Sequence, residues 1–374
     1  MPAEPSFTFG IEEEYHLVDR TTRDLAAAPQ EMIDLGLQRL GDRVSPEFLR
    51  SQIEIGTPVM RSFADARAEL QHLRAEIVRL AGEHGLAPIA AGTHPFADWS
   101  GLEPTPKARY RALAQDLAVV GRRLVICGMH VHVAIEDPEL RIDVMNQARY
   151  FLPHLLILST SSPLWMGRDT GLKSFRVAIQ KQSPRTGLPG RFSGWDEYRQ
   201  SVDVLVRAGV MEDASKIWWD LRPSARFPTL EMRITDVATR LDDAVSIAAL
   251  YVCLCRMLWR LRRANVGWRT YPVFLLEENR WRAQRYGVTD KLFDLGKGEL
   301  VPYPDLLEEI LALVAEDADA LGCRAAIEHA RTIVREGTSA DRQLRVLAEA
   351  RAAGASDDEA LRQVVDHLIA ETAA

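Results

Sequence analysis

The stretch Phe7-Thr-Phe-Gly-Ile-Glu-Glu-Glu-Tyr-His-Leu-Val18 has the composition of a strand and yet carries three consecutive carboxylates. Side chains of a strand alternate, so Glu12 and Glu14 share one face while Ile11, Glu13 and Tyr15 share the other. Strand geometry puts the first two acids roughly 7 Å apart. Like charges at that spacing repel unless a cation or a basic side chain lies between them. The stretch is therefore either part of a site or an exposed edge whose acids discourage pairing with another chain. Glu13, on the apolar face, needs a partner of its own.

Four more stretches follow the same rule. In Ser51–Pro58, Ile53 and Ile55 face one way and Gln52 and Glu54 the other, with Gly56 and Pro58 ending the run. Val125–Ile135 alternates Met129, Val131, Val133 and Ile135 with His130, His132 and Ala134, which puts two imidazoles on one face. Gly171–Ser183 reads as a strand with Arg176 on its polar side. It leads into the loop Ser183–Gly190, with Lys181, Arg185 and Arg191 in or beside it, a basic Gly-containing segment suited to phosphate or carboxylate but without P-loop spacing. Thr229–Asp236 sets Glu231, Arg233 and Thr235 against Leu230, Met232 and Ile234, and an aromatic strand, Ile217–Pro223, precedes it.

Each feature has a structural alternative: a satisfied core histidine, or an Arg–Glu ion pair. Taken together they describe a sheet with one wet, functional face and one face packed on helices. Carboxylates with imidazole suit divalent cations, and Mg2+ in particular is bound by a few carboxylates together with substrate phosphates. Arginines in the same concavity suit phosphate or carboxylate oxygens. Phosphoryl transfer to an acid is the chemistry such a set supports.

Between these strands the apolar spacing predicts helices over Ser62–His84, Pro106–Arg123, Arg141–Leu158 and Trp195–Arg207. Beyond Asp242 the chain is almost entirely helical, beginning with Asp242–Ala264, Leu275–Tyr286 and Pro304–Ala320. The expected class is α+β, a curved and mainly antiparallel sheet with helices on its outer face and a helical C-terminal third. All 374 residues are expected to form a single catalytic domain, 1–240 supplying the sheet and 241–374 packing on it.

A formal charge of -7 with no isolated Lys/Arg block argues against a nucleic-acid partner. Ala244–Leu261 is apolar enough to suggest a membrane span, but Arg256 and Arg260 interrupt it, so a buried core helix is expected and no membrane partner. Four cysteines form no disulfide or zinc framework, and Met1–Pro5 lacks the features of a secretory signal, so a cytoplasmic location is expected.

Gly10-Ile-Glu-Glu-Glu14, Glu54-Ile-Gly-Thr-Pro58, Gly128-Met-His-Val-His132, Pro184-Arg-Thr-Gly-Leu-Pro189, Thr229–Asp236 and Glu278–Gly287 occur in that order. In this combination the chain resembles the carboxylate-amine ligases known as glutamate-cysteine ligase type 2. The resemblance implies a glutamine synthetase-like catalytic fold, ATP with Mg2+ or Mn2+ as cofactors, and an acyl phosphate on the γ-carboxylate of glutamate that the amino group of cysteine attacks. It implies Glu12, Glu14, Glu54, His132 and Glu231 as metal ligands, and Arg233 and Arg176 as groups neutralising the transferring phosphoryl. Arg185, Lys181, His130 and Arg222 would contact substrate or ATP. The partners are then small molecules, and the C-terminal helices could support a homo-oligomer. A ligase for another acid and amine, and a catalytically silent nucleotide-binding regulator, remain as alternatives.

Overall fold

The computed structural model describes residues 4–374. Its centre is a seven-stranded sheet: β1 (Phe9–Asp19), β2 (Val44–Pro46), β3 (Gln52–Gly56), β4 (Leu86–Ile89), β5 (Met129–Ala134), β6 (Leu221–Pro223) and β7 (Thr229–Met232). The order is β6-β7-β5-β1-β3-β2, with β4 pairing the C-terminal end of β1, and every pairing is antiparallel. The α+β class is thus the observed one. The opening stretch is the central strand of this sheet, not its edge.

Alternation in β1 decides what lies on each side. Phe9, Ile11, Tyr15 and Leu17 are buried on one face. The first two join Met129, Val131, Val133, Leu230 and Met232 in a core shared with the helix Leu241–Arg263. Tyr15 and Leu17 join Ile53 and Ile55 against Leu73, Ile77 and Leu80 of the helix Phe63–Glu83. That helix starts where Ser62 accepts a hydrogen bond from the Asp65 amide, a standard N-cap. The helix Leu241–Arg263, long and apolar enough to cross a membrane by composition, is instead largely buried in this core.

The partner that Glu13 requires is Arg74, on the Phe63–Glu83 helix. Its guanidinium donates to both carboxylate oxygens of Glu13 at 2.9 and 2.6 Å, and to the carbonyls of Ala238 and Thr239. Tyr15 donates its hydroxyl to the same carboxylate. This buried trio ties the central strand to a helix and to the segment that follows β7.

Three expectations are corrected. Gly171–Ser183 is no strand: Phe175–Gln180 is a short helix, and its burial follows helical rather than alternating spacing, with residues 176, 177, 179 and 180 inside. Six residues are too few for sequence to separate the two periods. The helix expected over Arg141–Leu158 is two, Pro138–Ala148 and Leu152–Ser159, the second opening at Pro153, which lacks the N–H that a continuous helix would need there. Pro304–Ala320 likewise divides, at Val314. A hairpin pairing Lys291–Asp294 with Glu299–Pro302 was not anticipated from the sequence.

Candidate active site

Cross-strand register assembles the polar face. Glu12 pairs with His130 on one side, Glu14 with Glu54 on the other, and Glu231 lies opposite both His132 and Arg222. The acids and imidazoles therefore form a patch across β7, β5, β1 and β3. Three overlapping groups each bring their ligand atoms within 4.8 Å of one another: Glu12, His132 and Glu231; Glu12, Glu54 and His130; and Glu14, Glu47 and Glu54.

Within the patch each side chain is held. Glu12 meets His130 Nδ1 at 3.3 Å and His132 Nε2 at 3.4 Å. Glu14 accepts the Gly128 amide at 2.6 Å, and Ser45 donates to Glu54 at 3.2 Å. His132 Nδ1 pairs with the Thr229 hydroxyl at 2.9 Å, which turns Nε2 toward Glu12 and Glu231. Such fixing of the far ring nitrogen is what orients a ligating imidazole. Arg222 grips Glu231 through Nε and Nη2 at 2.8 and 3.2 Å, and Arg233 donates to the same carboxylate.

The charges are unevenly distributed. Burial raises the Glu14 carboxyl to about 7, with the nearby Glu47 charge adding to it. Burial also pushes Glu54 well up, reinforced by Glu47, Glu12 and Glu14. At the other end burial works against ionisation of Glu231 but is outweighed by Arg233 and Arg222, which hold it well below its usual range. Glu12 is likewise low: burial opposes, and the hydrogen bonds and charge of His130 and His132 prevail. Burial and the Arg233 charge lower His130 to about 4, so this imidazole is neutral. One end of the patch is thus electrostatically satisfied, while the Glu14–Glu47–Glu54 end is short of positive charge.

The patch borders two cavities. One of about 530 Å3 opens beside Glu12, Glu54 and His132, with Phe227, Pro58 and Val59 on its rim. A smaller one, about 150 Å3, is lined by Glu14, His130, Arg233, Arg176, Gln180 and Trp218 among others.

The structure thus brings Glu12, Glu14, Glu54, His130, His132, Glu231 and Arg233 together, with Arg222 behind Glu231. Arg222 spends its remaining contacts on the Ser215 and Ile217 carbonyls, which makes it a brace for Glu231. Arg176 reaches the small cavity from the Phe175–Gln180 helix, not from a sheet strand. It is buried, donating to the Arg233 and Ile234 carbonyls at 3.2 Å. Its guanidinium lies flat on Gly128, where a Cβ would come within 2.2 Å of Nη2, so only glycine fits that position. Lys181 pairs with Glu277 at 2.9 Å, and Arg185 donates to the Lys216 carbonyl and sits over the Trp218 ring. Neither lines the two cavities. Glu47 was missed by sequence reasoning: it follows β2 in an irregular segment, where no periodicity marks it.

An antiparallel sheet presenting carboxylates, imidazoles and arginines to two adjoining cavities is the framework of an ATP-dependent carboxylate-amine ligase. The model of glutamate-cysteine ligase family 2 matches residues 8–367, and the chain belongs to that family. A Rhodospirillum rubrum protein with the provisional name glutamate–cysteine ligase 2 is 61% identical, over 99% of this chain and 97% of its own. Among solved structures, a Francisella tularensis glutamate–cysteine ligase in complex with AMP matches with a TM-score of 0.70 at 13% identity, covering 98% of this chain and 89% of that one. A bifunctional glutathione synthetase from Pasteurella multocida matches with a TM-score of 0.69 at 17% identity over 98% of this chain, which spans about half (52%) of that protein. At these identities the two structures speak to the fold.

Proposed function

We propose that this chain uses ATP and Mg2+ to join the γ-carboxylate of glutamate to the amino group of cysteine through an acyl phosphate. The observation that carries the reading is the set of three overlapping acid and imidazole groups on one sheet face. The donor set fits divalent cations on its own terms. Three carboxylates, Glu14, Glu47 and Glu54, crowd together, Glu14 and Glu54 with raised affinity for protons, and His130 Nε2 is buried without a hydrogen-bond partner among the described residues, 3.7 Å from Glu14. Glu12, Glu14, Glu47, Glu54, Glu231, His130 and His132 would hold the ions. Bound there, divalent cations supply charge neutralisation for phosphate oxygens.

In this reading the chain's own groups position and neutralise. Arg233, its charge secured by Glu231, faces His130 at 3.3 Å and stabilises negative charge developing on the transferred phosphoryl oxygens. Arg176 offers a fixed positive charge to the acid substrate in the small cavity. The larger cavity, with Phe227, Pro58 and Val59 at its rim, suits the nucleotide. Arg222 keeps Glu231 ionised. The whole chain acts as one catalytic domain, a reading supported by a core cluster that draws members from Phe7 through to Ile333. Four free, buried thiols favour the cytoplasm.

Incubating the protein with glutamate, cysteine, Mg2+ and ATP should release phosphate in step with a product of the γ-glutamyl-cysteine mass. Turnover of another acid and amine but not this pair would replace the substrate assignment. Nucleotide binding with no amide from any pair would point instead to a silent regulator.

A second expectation concerns the metal alone. Mg2+ or Mn2+ should raise Tm at pH 8 and do so much less at pH 5.5, because below about 7 the Glu14 carboxyl holds a proton that the ion must displace. Thermal shifts that are equal at both pH values would count against these carboxylates as ligands.

A further inference from the structure

Arg176 and Gln180 lie one turn apart on the Phe175–Gln180 helix, and both side chains are buried against the smaller cavity, as is Ser183 just beyond. Three of their polar atoms have no hydrogen-bond partner among the described residues: Gln180 Oε1, Ser183 Oγ and Arg176 Nε. Buried polar groups are almost always paired, so three orphans on one cavity wall mark places that a ligand completes. Their chemistry is specific. An amide oxygen only accepts and a guanidinium nitrogen only donates. The lining therefore calls for a ligand offering both a hydrogen-bond donor and an acceptor, the latter best anionic where it meets a guanidinium.

A simple carboxylic acid would satisfy Arg176 and leave Gln180 Oε1 empty. An α-amino acid supplies both. Glu14 and His130, which line the same cavity, belong to the metal-binding patch, which leaves Gln180 and Ser183 to read the rest of the substrate. Resting on the reading of this cavity as the acid-substrate site, we propose that Gln180, assisted by Ser183, restricts the acid substrate to α-amino acids by accepting a hydrogen bond from the ammonium group. Gln180 is then a specificity residue that sequence reasoning put on the polar side with Arg176 but gave no role.

The test compares L-glutamate with glutarate, the same dicarboxylate without the ammonium, each with cysteine, Mg2+ and ATP. In the wild type kcat/KM should favour glutamate roughly 10- to 100-fold, the range for one hydrogen bond to a charged group. Gln180→Met should bring the ratio close to unity by raising KM for glutamate far more than for glutarate. A wild type that uses both acids equally, or a folded Gln180→Met with its preference intact, overturns the proposal. If Gln180→Met does not fold, Ser183→Ala is read the same way, with roughly a threefold or larger drop in the ratio expected and an unchanged ratio overturning it. If the wild type turns over neither acid, the assigned reaction fails, and thermal shifts decide the present proposal separately. With Mg2+ and a non-hydrolysable ATP analogue, α-amino acids should raise Tm and their deaminated counterparts should not; equal shifts overturn it.

Discussion

Glu14→Gln is expected to lower turnover about 100- to 1,000-fold, an effect of the size seen when a charge-stabilising group is lost from an active site, while the metal-free protein becomes more stable at pH 8. The substitution keeps the shape and leaves an oxygen to accept the Gly128 amide, which Glu14 binds at 2.6 Å. Only the charge goes. The sign for stability follows from the raised carboxyl. With a value of about 7 in the folded protein against an ordinary 4.5, the native state binds more protons than the unfolded chain between these limits. This group's contribution is therefore most favourable below the lower value, declines as pH rises, and is a full penalty above about 7. That penalty is of order 3 kcal/mol, which Gln removes, so Tm should rise by a few degrees at pH 8 and change little at pH 5. Turnover by phosphate release and Tm at the two pH values check both halves. Retained activity would remove Glu14 from the metal-binding set.

Arg74→Met should have the largest effect on stability. The change leaves the Glu13 carboxylate, which has no solvent exposure, with Tyr15 as its remaining side-chain partner. Removing one member of a buried ion pair costs about 3–5 kcal/mol, a large share of the 5–15 kcal/mol typical of a folded domain (about that range). Two carbonyl contacts, to Ala238 and Thr239, go with it. The double variant Glu13→Gln/Arg74→Met should recover much of the loss, since removing both charges together is often close to neutral. Chemical denaturation of the single and double variants separates the cases: a double variant no more stable than Arg74→Met would mean that the charge pair is not what Arg74 contributes.

The two predictions concern opposite faces of one strand. Glu13 and Glu14 are neighbours in sequence, yet one is matched by a buried arginine and the other stands among like charges beside a cavity. A face that stores unfavourable charge until a cation arrives is stability given up for binding, and the Arg74 brace behind it holds the central strand in place.

Much of this was legible in the sequence, and the reason is local. Alternation has a period of two, so Glu12, Glu14, Glu54, His130, His132 and Glu231 could each be assigned to a polar strand face without knowing the fold. The helices Phe63–Glu83 and Leu241–Arg263 were equally plain, because a long window separates periods that a short one cannot. The Phe175–Gln180 helix was too short for that, so Arg176 was read onto a strand, with Gln180 on the same polar side but without a role.

What only the tertiary structure decided is non-local. Register set Glu12 against His130 and Glu14 against Glu54, turning separate polar faces into one patch. Glu47 joined it from an irregular segment, and Arg74 reached Glu13 from 61 residues away. Arg222 became a brace for Glu231, while Lys181 paired with Glu277 and Arg185 with the Lys216 carbonyl and the Trp218 ring, neither side chain lining either cavity. A sequence fixes which face a strand side chain takes because backbone geometry dictates it. It does not fix which charges meet across strands and helices, because those contacts depend on packing among segments far apart in the chain.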